Sequence, residues 1–201
     1  MAESRGLILT GPDRCYNPLM GISTKYAHAD LLVIPDDGKR REIVDGEMLV
    51  SPSPKLLHQI ICGRIAAALF RYLAEHPIGL LLLAPLDVIL SDLDVLEPDL
   101  IFVLNEHRSI LQDWVQGAPD LVVEVLSPST AANDRGPKLK AYARFGVPEY
   151  WIVDPDAYAI EVYRLSRQAY QLAQTFCEHE TLSSILLPGF ELPVADLFRS
   201  E

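Results

Sequence analysis

The chain has 201 residues, a length that suits one domain with a substantial hydrophobic core. Its hydrophobic content of 49% and charged content of 22% are ordinary for a soluble globular protein. The net charge of −11 argues against a general nucleic-acid coat protein, because such proteins need excess positive charge to neutralise phosphates. An enzyme that contacts DNA through a local basic patch and metal ions is still compatible with this charge.

Neither a membrane span nor a secretion signal is expected. The longest apolar run, over 78–84, ends at Pro85 and is shorter than the roughly 18–20 residues that cross a bilayer. The N-terminus lacks a charged segment followed by an apolar stretch, as a signal peptide would have. The cysteines are widely spaced, without a Cys-x-x-Cys pair, so we expect a cytoplasmic protein with no zinc site.

The first part of the chain predicts a lead-in, a hairpin and a long helix. Residues 1–21 are rich in turn formers, so we expect a loosely ordered lead-in before a single domain over 22–201. Asp45-Gly46 between two short β-type runs is typical of a two-residue hairpin turn. Apolar residues at helical spacing predict an amphipathic helix over 54–75, with His58 in its early turns.

Strand patterns dominate the rest of the chain. They predict a strand over 80–90 that is interrupted at Pro85, further strands over 95–104 and 121–126, a short helix over 109–115, and a meander over 150–176. A helix lies between the strand at 121–126 and the meander. We therefore predict an α/β (α+β) fold: a mixed β-sheet flanked by helices, with an N-terminal hairpin and a C-terminal meander.

Glu124 is a carboxylate in the middle of a strand that is otherwise apolar. Side chains alternate between the faces of a strand, so Glu124 shares a buried face with Val122 and Leu126. An ionised carboxylate on a buried face is costly unless a cation, a metal or hydrogen-bond donors compensate it. Pairing within the protein is the simpler explanation, and a functional site is the alternative.

Asp99 follows Pro98 at the head of the preceding strand. If the strands over 100–104 and 121–126 are antiparallel neighbours, Asp99 lies beside Glu124. Two carboxylates this close repel each other unless they share a proton or a cation. Mg²⁺ (or Mn²⁺) prefers such oxygens, so we predict a metal site formed by Asp99, Glu124 and the backbone carbonyl of Val125.

A site for phosphodiester cleavage also needs a positive group near the attacking water, and the following helix offers two lysines. Lys138 lies four residues before Tyr142, at the edge of the apolar stripe, so it can reach the end of the sheet. Lys140 lies about 200° further round the helix and should face solvent. Lys138 is therefore the candidate, and an ordinary surface lysine is the alternative.

Weaker candidates surround this group. Asp87 lies in a neighbouring strand and is a candidate to support the metal ligands. A lone helical histidine such as His58 is more often a surface or boundary residue than a ligand. A Ser127–His58 nucleophile pair is conceivable, but no Gly-x-Ser-x-Gly motif surrounds Ser127, so we do not expect this chemistry.

Several motifs together resemble the Uma-type "putative restriction endonuclease" family of the PD-(D/E)XK nuclease superfamily. They are PDLIFV, APDLVVEVLSPST, NDRGPKLKAY and GVPEYWIVDP. The segment DGEMLVSPSP followed by His58, and LLPGFELPVADLF near the end, resemble the family as well. The likeness spans roughly residues 22–198.

The resemblance implies a sheet flanked by helices, with Asp99 and Glu124 as the metal-binding acids. It further implies that Glu47, before the long helix, completes the site. The superfamily's lysine normally lies two residues after the glutamate, where this chain has Leu126. In this family the lysine function is implied at the position of Lys138.

The leading interpretation is a Mg²⁺-dependent endonuclease acting on DNA, in which Lys138 orients or deprotonates the attacking water. The alternative is a catalytically silent module for binding or assembly that keeps the fold. The negative charge and Leu126 favour the module, whereas the joint presence of Asp99, Glu124 and Lys138 counts against it.

A third interpretation is a metal-dependent hydrolase that acts on another substrate. A basic cleft near Lys55, His58, Arg135 and Lys138 would favour the nuclease over this hydrolase. A homodimer would allow both DNA strands to be cut, although no sequence feature indicates one.

Overall fold

The computed structural model describes residues 25–35 and 37–199, so the predicted lead-in over 1–21 lies outside it. The first elements are a short helix, α1 (His28–Leu31), and the predicted hairpin of β1 (Arg40–Val44) and β2 (Glu47–Ser51). Asp45 and Gly46 have φ angles of 52° and 77°. Two successive left-handed residues are what a two-residue hairpin turn of this type requires, so the hairpin is confirmed.

The strands of the described residues form two main sheets. The first contains the hairpin with β4 (Val88–Ser91), β5 (Asp94–Leu96) and β7 (Val115–Gln116); the second contains β3 (Gly79–Leu83), β6 (Leu100–Leu104), β8 (Leu121–Val125), β9 (Glu149–Asp154), β10 (Ala159–Ser166) and β11 (Ala169–Cys177). The strand orders are β2-β1-β5-β4-β7 and β11-β10-β9-β8-β6-β3. The second sheet is mixed, because β8 and β9 are parallel and its other pairs are antiparallel.

The two long strands predicted over 80–90 and 95–104 are each divided between the sheets. Pro85 and Pro98 lie at the two crossing points, since proline has no amide N–H to donate to a ladder. The helix predicted over 109–115 is wrong: a 3₁₀-helix occupies Asn105–Ile110 and is followed by β7. The C-terminal meander of β9, β10 and β11 is confirmed.

Helices cover both faces of the six-stranded sheet. They are α2 (Leu56–Glu75), α3 (Ala131–Asn133), a π-helical turn (Asp134–Lys138), α4 (Leu139–Phe145) and α5 (Ala195–Phe198), with a small pair of strands, β12 (Thr181–Leu182) and β13 (Leu192–Pro193), beside them. The α2 helix packs on the face that carries Val123 and Val125. Tyr142 of α4 packs on the opposite face with Val122 and Leu126. Glu124 lies on this second face, and the α+β architecture is confirmed.

The α2 helix has the length and composition of a membrane-spanning helix, although polar residues interrupt its apolar runs. Core helices of soluble proteins meet the same criterion. In this fold Ile61, Ile65 and Leu69 of α2 are fully buried against the sheet. Apolar contact with the sheet, rather than helical propensity alone, therefore stabilises this helix.

Replacing Ile65 tests this packing. Ile65→Ala removes buried methyl groups and leaves a cavity, so we expect the free energy of unfolding to fall by about 2–5 kcal/mol in urea titrations. Leu56→Ala on the same helix is the control, because Leu56 is 78% exposed and its loss should change stability by no more than about 0.5 kcal/mol. Equal losses in the two variants would contradict the assigned packing.

Candidate metal centre

The strand register places Asp99 beside Glu124, as predicted. Leu100 of β6 pairs with Val123 of the antiparallel β8, so the preceding and following residues are neighbours. Asp99 Oδ2 accepts a hydrogen bond of 2.8 Å from the amide of Val125. Asp99 and Glu124 are only 6% and 2% exposed. Both predicted metal-binding acids therefore lie in one buried site.

Lys138 reaches this site from the π-helical turn. Its Nζ lies 2.8 Å from Glu124 Oε1, 2.9 Å from Glu42 Oε1 and 3.1 Å from Asp134 Oδ1. The ammonium group donates a hydrogen bond to Glu124 Oε1 and forms ion pairs with Glu42 and Asp134. Lys140 is exposed to solvent, as its position on the helix predicted.

The backbone before α4 explains how Lys138 and Asp134 meet. The π-helical turn contains Pro137, which has no N–H to complete an α-helical hydrogen bond. Turns of this kind are frequent at functional sites because they redirect side chains within a helix. The Tyr142 hydroxyl, one turn further on, donates to Glu124 Oε1 at 3.1 Å.

Arg40 enters the site from β1 in the other sheet. Its Nη1 donates to Asp99 Oδ1 at 3.1 Å, and its Nη2 lies 3.8 Å from Glu124 Oε2. Its Nε lies 3.2 Å from Glu97 Oε1. The guanidinium therefore stands between the two predicted metal ligands.

Seven charged side chains form what we name the acidic cluster: the carboxylates of Glu42, Glu97, Asp99, Glu124 and Asp134, and the cations Arg40 and Lys138. Five carboxylates against two cations leave an excess of three negative charges when all are ionised. Burial raises the pKa values of Glu97 and Asp134, with Arg40 and Lys138 respectively opposing that rise. Arg40 and Lys138 therefore do not neutralise all of the carboxylates, and a divalent cation would supply the remaining positive charge.

The two predicted ligands have pKa values shifted in opposite directions. Burial raises the pKa of Glu124 well above its ordinary value, although Lys138 opposes the rise. Burial acts on Asp99 in the same direction, but neighbouring His58 and Arg40 outweigh it and lower the pKa of Asp99. Asp99 is therefore ionised, whereas Glu124 takes up a proton more readily unless further positive charge enters.

His58 is buried, and the expectation of a surface or boundary position is wrong. It lies on the packed face of α2, where its Nε2 is 3.1 Å from Asp99 Oδ2 and its Nδ1 is 3.6 Å from Cys62 Sγ. Ligand atoms of His58, Cys62 and Asp99 all lie within 4.8 Å of one another and could hold a metal ion. Burial raises the pKa of the Cys62 thiol, which disfavours the thiolate that a soft metal would need.

The arrangement also bears on the Ser127–His58 pair. Both ring nitrogens of His58 face Asp99 and Cys62, and the Ser127 hydroxyl interacts with Ser129 and Thr130 at 2.9 and 3.1 Å. Neither residue is oriented by the other. The geometry thus gives no nucleophile pair, in agreement with the sequence.

The structure places Glu47 outside the acidic cluster, contrary to the role implied by the resemblance. Glu47 is exposed at the turn end of the hairpin, where it pairs with Val44. Glu42, on the other strand of the hairpin, provides the buried acid instead. Asp87 precedes β4 and is half-buried, and no hydrogen bond or ion pair within the described residues joins its side chain to Asp99 or Glu124. Its charge still raises the pKa of Glu97, so it acts on the cluster from a distance.

A cleft opens beside the site. A cavity of about 330 Å³ is lined by Lys55, His58 and Arg135 among others, but Lys138 is buried behind it. Arg135 forms ion pairs with Asp154 and Glu161, which offset its charge. Asp154 and Asp156 line the same cavity, so two acids balance its two basic side chains, Lys55 and Arg135. The cleft is therefore not distinctly basic, and Lys138 does not line it.

Comparisons with known proteins decide the family. The Uma2 family model, described as "Putative restriction endonuclease", matches residues 28–195. The chain belongs to the Uma2 family. A comparison with curated proteins gave no match. Family membership supports a nuclease.

A solved structure shows the same fold. The Uma2 chain resembles a "putative nuclease belonging to DUF820" from Anabaena variabilis, with 20% identity and a TM-score of 0.72. The match covers 86% of this chain and 97% of that one. At this level of identity the likeness concerns the fold, and it agrees with the predicted restriction-endonuclease-like sheet.

Four members of the acidic cluster in this Uma2 chain were not predicted: Glu97, Asp134, and the pair Arg40 and Glu42 on β1. Arg40 and Glu42 face the same side of β1, since they are two residues apart. Because Arg41 between them is charged as well, no alternating pattern in the sequence indicates that Arg40 and Glu42 face the cluster. The resemblance directed attention to Glu47 on the following strand instead.

Removing the charge of Lys138 tests the electrostatics of the cluster. Lys138→Met leaves buried carboxylates without their cation, so we expect a loss of about 3–5 kcal/mol in the free energy of unfolding at neutral pH. Lys140→Met is the control, because Lys140 is exposed on the adjacent helical turn. Urea titrations of both variants and the wild type give the comparison.

The loss in Lys138→Met should depend on pH. The pKa values of Glu124 and Asp134 are already raised in the folded protein, and removal of the ammonium raises them further. A raised pKa in the folded state favours folding at low pH, and this contribution is lost as the pH rises through that pKa. The difference in the free energy of unfolding between Lys138→Met and the wild type should therefore become smaller as the pH falls from about 8 to about 5. A difference that grows as the pH falls would contradict the assignment.

Proposed function

We propose that this Uma2 chain is a Mg²⁺- or Mn²⁺-dependent endonuclease that hydrolyses DNA phosphodiester bonds. The observation that carries the proposal is the acidic cluster, in which Asp99 and Glu124 are buried side by side with three more carboxylates than cations. If these strand ends were apolar, or if each carboxylate had its own cation, the site would have no excess of negative charge. The family supports nuclease chemistry.

The donor set fits a hard divalent cation. Asp99 Oδ1 and Glu124 Oε2 both lie beside the Arg40 guanidinium, and the predicted carbonyl of Val125 is a third oxygen. Carboxylate and carbonyl oxygens suit Mg²⁺ and Mn²⁺ better than soft metals. When bound, the ion polarises the phosphate and lowers the pKa of its water.

Lys138 serves this site as a protonated group. Burial alone would lower the pKa of Lys138, but Glu124, Glu42 and Asp134 outweigh it and raise that pKa above its ordinary value. Of the two roles predicted for Lys138, orientation of groups at the site is supported and deprotonation of water is disfavoured. The ammonium donates to Glu124 Oε1, so Glu124 Oε2, which lies 3.8 Å from Arg40 Nη2, is the oxygen left for a metal ion.

Substrate binding is proposed at the cleft beside the cluster. Lys55 is exposed there at the start of α2, and Arg135 lines the same cavity. Lys55 would attract a phosphate of the backbone there in spite of the net charge of −11, whereas Arg135 is paired with Asp154 and Glu161. Cys62 and Cys177 are free, in line with the proposed cytoplasmic location, and a proposed homodimer would supply two such sites for two strands.

A catalytically silent module is the second candidate. The observation in its favour is that Arg40 stands between Asp99 and Glu124, so an internal cation partly satisfies the ligands. A silent module would need no further cation. Metal binding therefore separates the two functions.

Conservative substitutions of the predicted ligands test the proposed nuclease. Asp99→Asn and Glu124→Gln keep the side-chain shape and remove a charge, so we expect Mn²⁺ binding by calorimetry to be lost. Plasmid nicking should fall by at least about 100-fold, because loss of groups that merely support ligands already costs about 10–100-fold.

The two glutamates of the hairpin give the matched comparison. Glu42→Gln should weaken Mn²⁺ binding, since Glu42 belongs to the acidic cluster, whereas Glu47→Gln should leave binding and nicking unchanged. Metal-dependent nicking that survives in Asp99→Asn and Glu124→Gln would disprove the proposed site. Absence of Mn²⁺ binding in the wild type would favour the silent module.

A further inference from the structure

In both Asp99 and Glu124, one carboxylate oxygen contacts buried groups of the protein and the other contacts Arg40. Asp99 Oδ2 accepts from the Val125 amide and lies next to His58, and Glu124 Oε1 accepts from Lys138 and Tyr142. Among residues 25–35 and 37–199, the other two oxygens have Arg40 as their only hydrogen-bonding or ion-pairing partner. Arg40 therefore occupies the two oxygens that a divalent ion would need.

The contacts of Arg40 are less well formed than those of Lys138. Only its Nη1 makes a hydrogen bond, to Asp99, whereas the buried Nε and Nη2 have no hydrogen-bond partner in the described part of the chain. Carboxylates do lie within reach of them: Nε is 3.2 Å from Glu97, and Nη2 is 3.8 Å from Glu124. The guanidinium is thus attracted by charge, without the paired, bidentate geometry that makes arginine–carboxylate contacts strong.

The position of Arg40 gives it a route out of the cluster. Its side chain is 18% exposed, against 5% for Asp99 and 3% for Glu124. It also lines an opening of about 230 Å³ between the segment 51–55, which leads into α2, and the segment 127–130, which follows β8. Arg40 therefore lies between the carboxylates and the solvent.

We propose that Arg40 is a displaceable internal cation that neutralises Asp99 and Glu124 until a divalent ion takes their oxygens, and that it then binds a phosphate of the substrate in the opening. This inference rests on the proposed nuclease function and specifies how the site changes between its empty and loaded states. Two cations cannot share the same pair of oxygens without repelling each other. A planar guanidinium released into the opening is well suited to bind phosphate.

Arg40→Gln tests the competition directly. Calorimetric titration of Mn²⁺ in the absence of DNA should show binding about tenfold tighter or more than in the wild type, because the competing charge is gone. Arg41→Gln is the matched control: Arg41 follows Arg40 on β1, pairs with Asp37 and points to the other face of the strand. Its Mn²⁺ affinity should equal that of the wild type.

The phosphate role has its own readout. At saturating Mn²⁺, single-turnover cleavage of a DNA duplex by Arg40→Gln should be slower by about 10–100-fold in spite of the tighter metal binding. Cleavage at the wild-type rate would overturn this part of the inference. Unchanged or weaker Mn²⁺ affinity in Arg40→Gln would overturn the competition.

A measurement on the wild type avoids dependence on the folding of the variant. The Nε–Hε signal of Arg40 in nitrogen-15 NMR spectra, assigned with Arg40→Lys, should shift when Mg²⁺ saturates the protein, whereas the Arg41 signal should not. An Arg40 signal that stays unchanged in Mg²⁺-loaded protein would overturn the inference. If the wild type binds Mn²⁺ but does not cleave DNA, the proposed nuclease is rejected. The competition between Arg40 and the ion is then judged from the Mn²⁺ affinities of the wild type and Arg40→Gln alone.

Discussion

The burial of four carboxylates, beside the half-buried Glu97 and with only two cations, is the constraint on which the rest of the site depends. The acidic cluster joins elements that are distant in the chain: β1 in one sheet, Asp99 and Glu124 in the other, and the π-helical turn before α4. Ionised groups are costly to bury unless each has a partner. Arg40 and Lys138 compensate part of this charge, and we propose that the remaining excess of negative charge attracts a further cation.

Lys138 brings to Glu124 an ammonium group that the strand itself does not carry. The position two residues after Glu124 is Leu126, which packs in the core. The π-helical turn delivers an ammonium group to Glu124 from the helix instead, at 2.8 Å. Because three carboxylates surround it, this lysine stays protonated and acts through its charge. The chemistry of the superfamily is thus compatible with a different origin of the lysine.

Much of the site could be predicted because it follows from periodic rules. Strand alternation put Glu124 on a buried face, antiparallel pairing put Asp99 beside it, and helical spacing selected Lys138 over Lys140. The contributions of Arg40 and Glu42 depend on how the hairpin packs against the other sheet, which no local pattern encodes. Tertiary packing also decides that two predicted strands are divided between the sheets, at Pro85 and Pro98.

Crystals soaked in Mn²⁺ would test the central claim most directly, because anomalous scattering locates the ion without reference to activity. The account predicts an anomalous peak about 2.0–2.2 Å from Asp99 Oδ1 and Glu124 Oε2, with the Arg40 guanidinium moved away from both oxygens. A peak at His58 and Cys62 instead, or no peak while Arg40 still contacts Asp99, would contradict it. The acidic cluster would then be a structural feature of the fold.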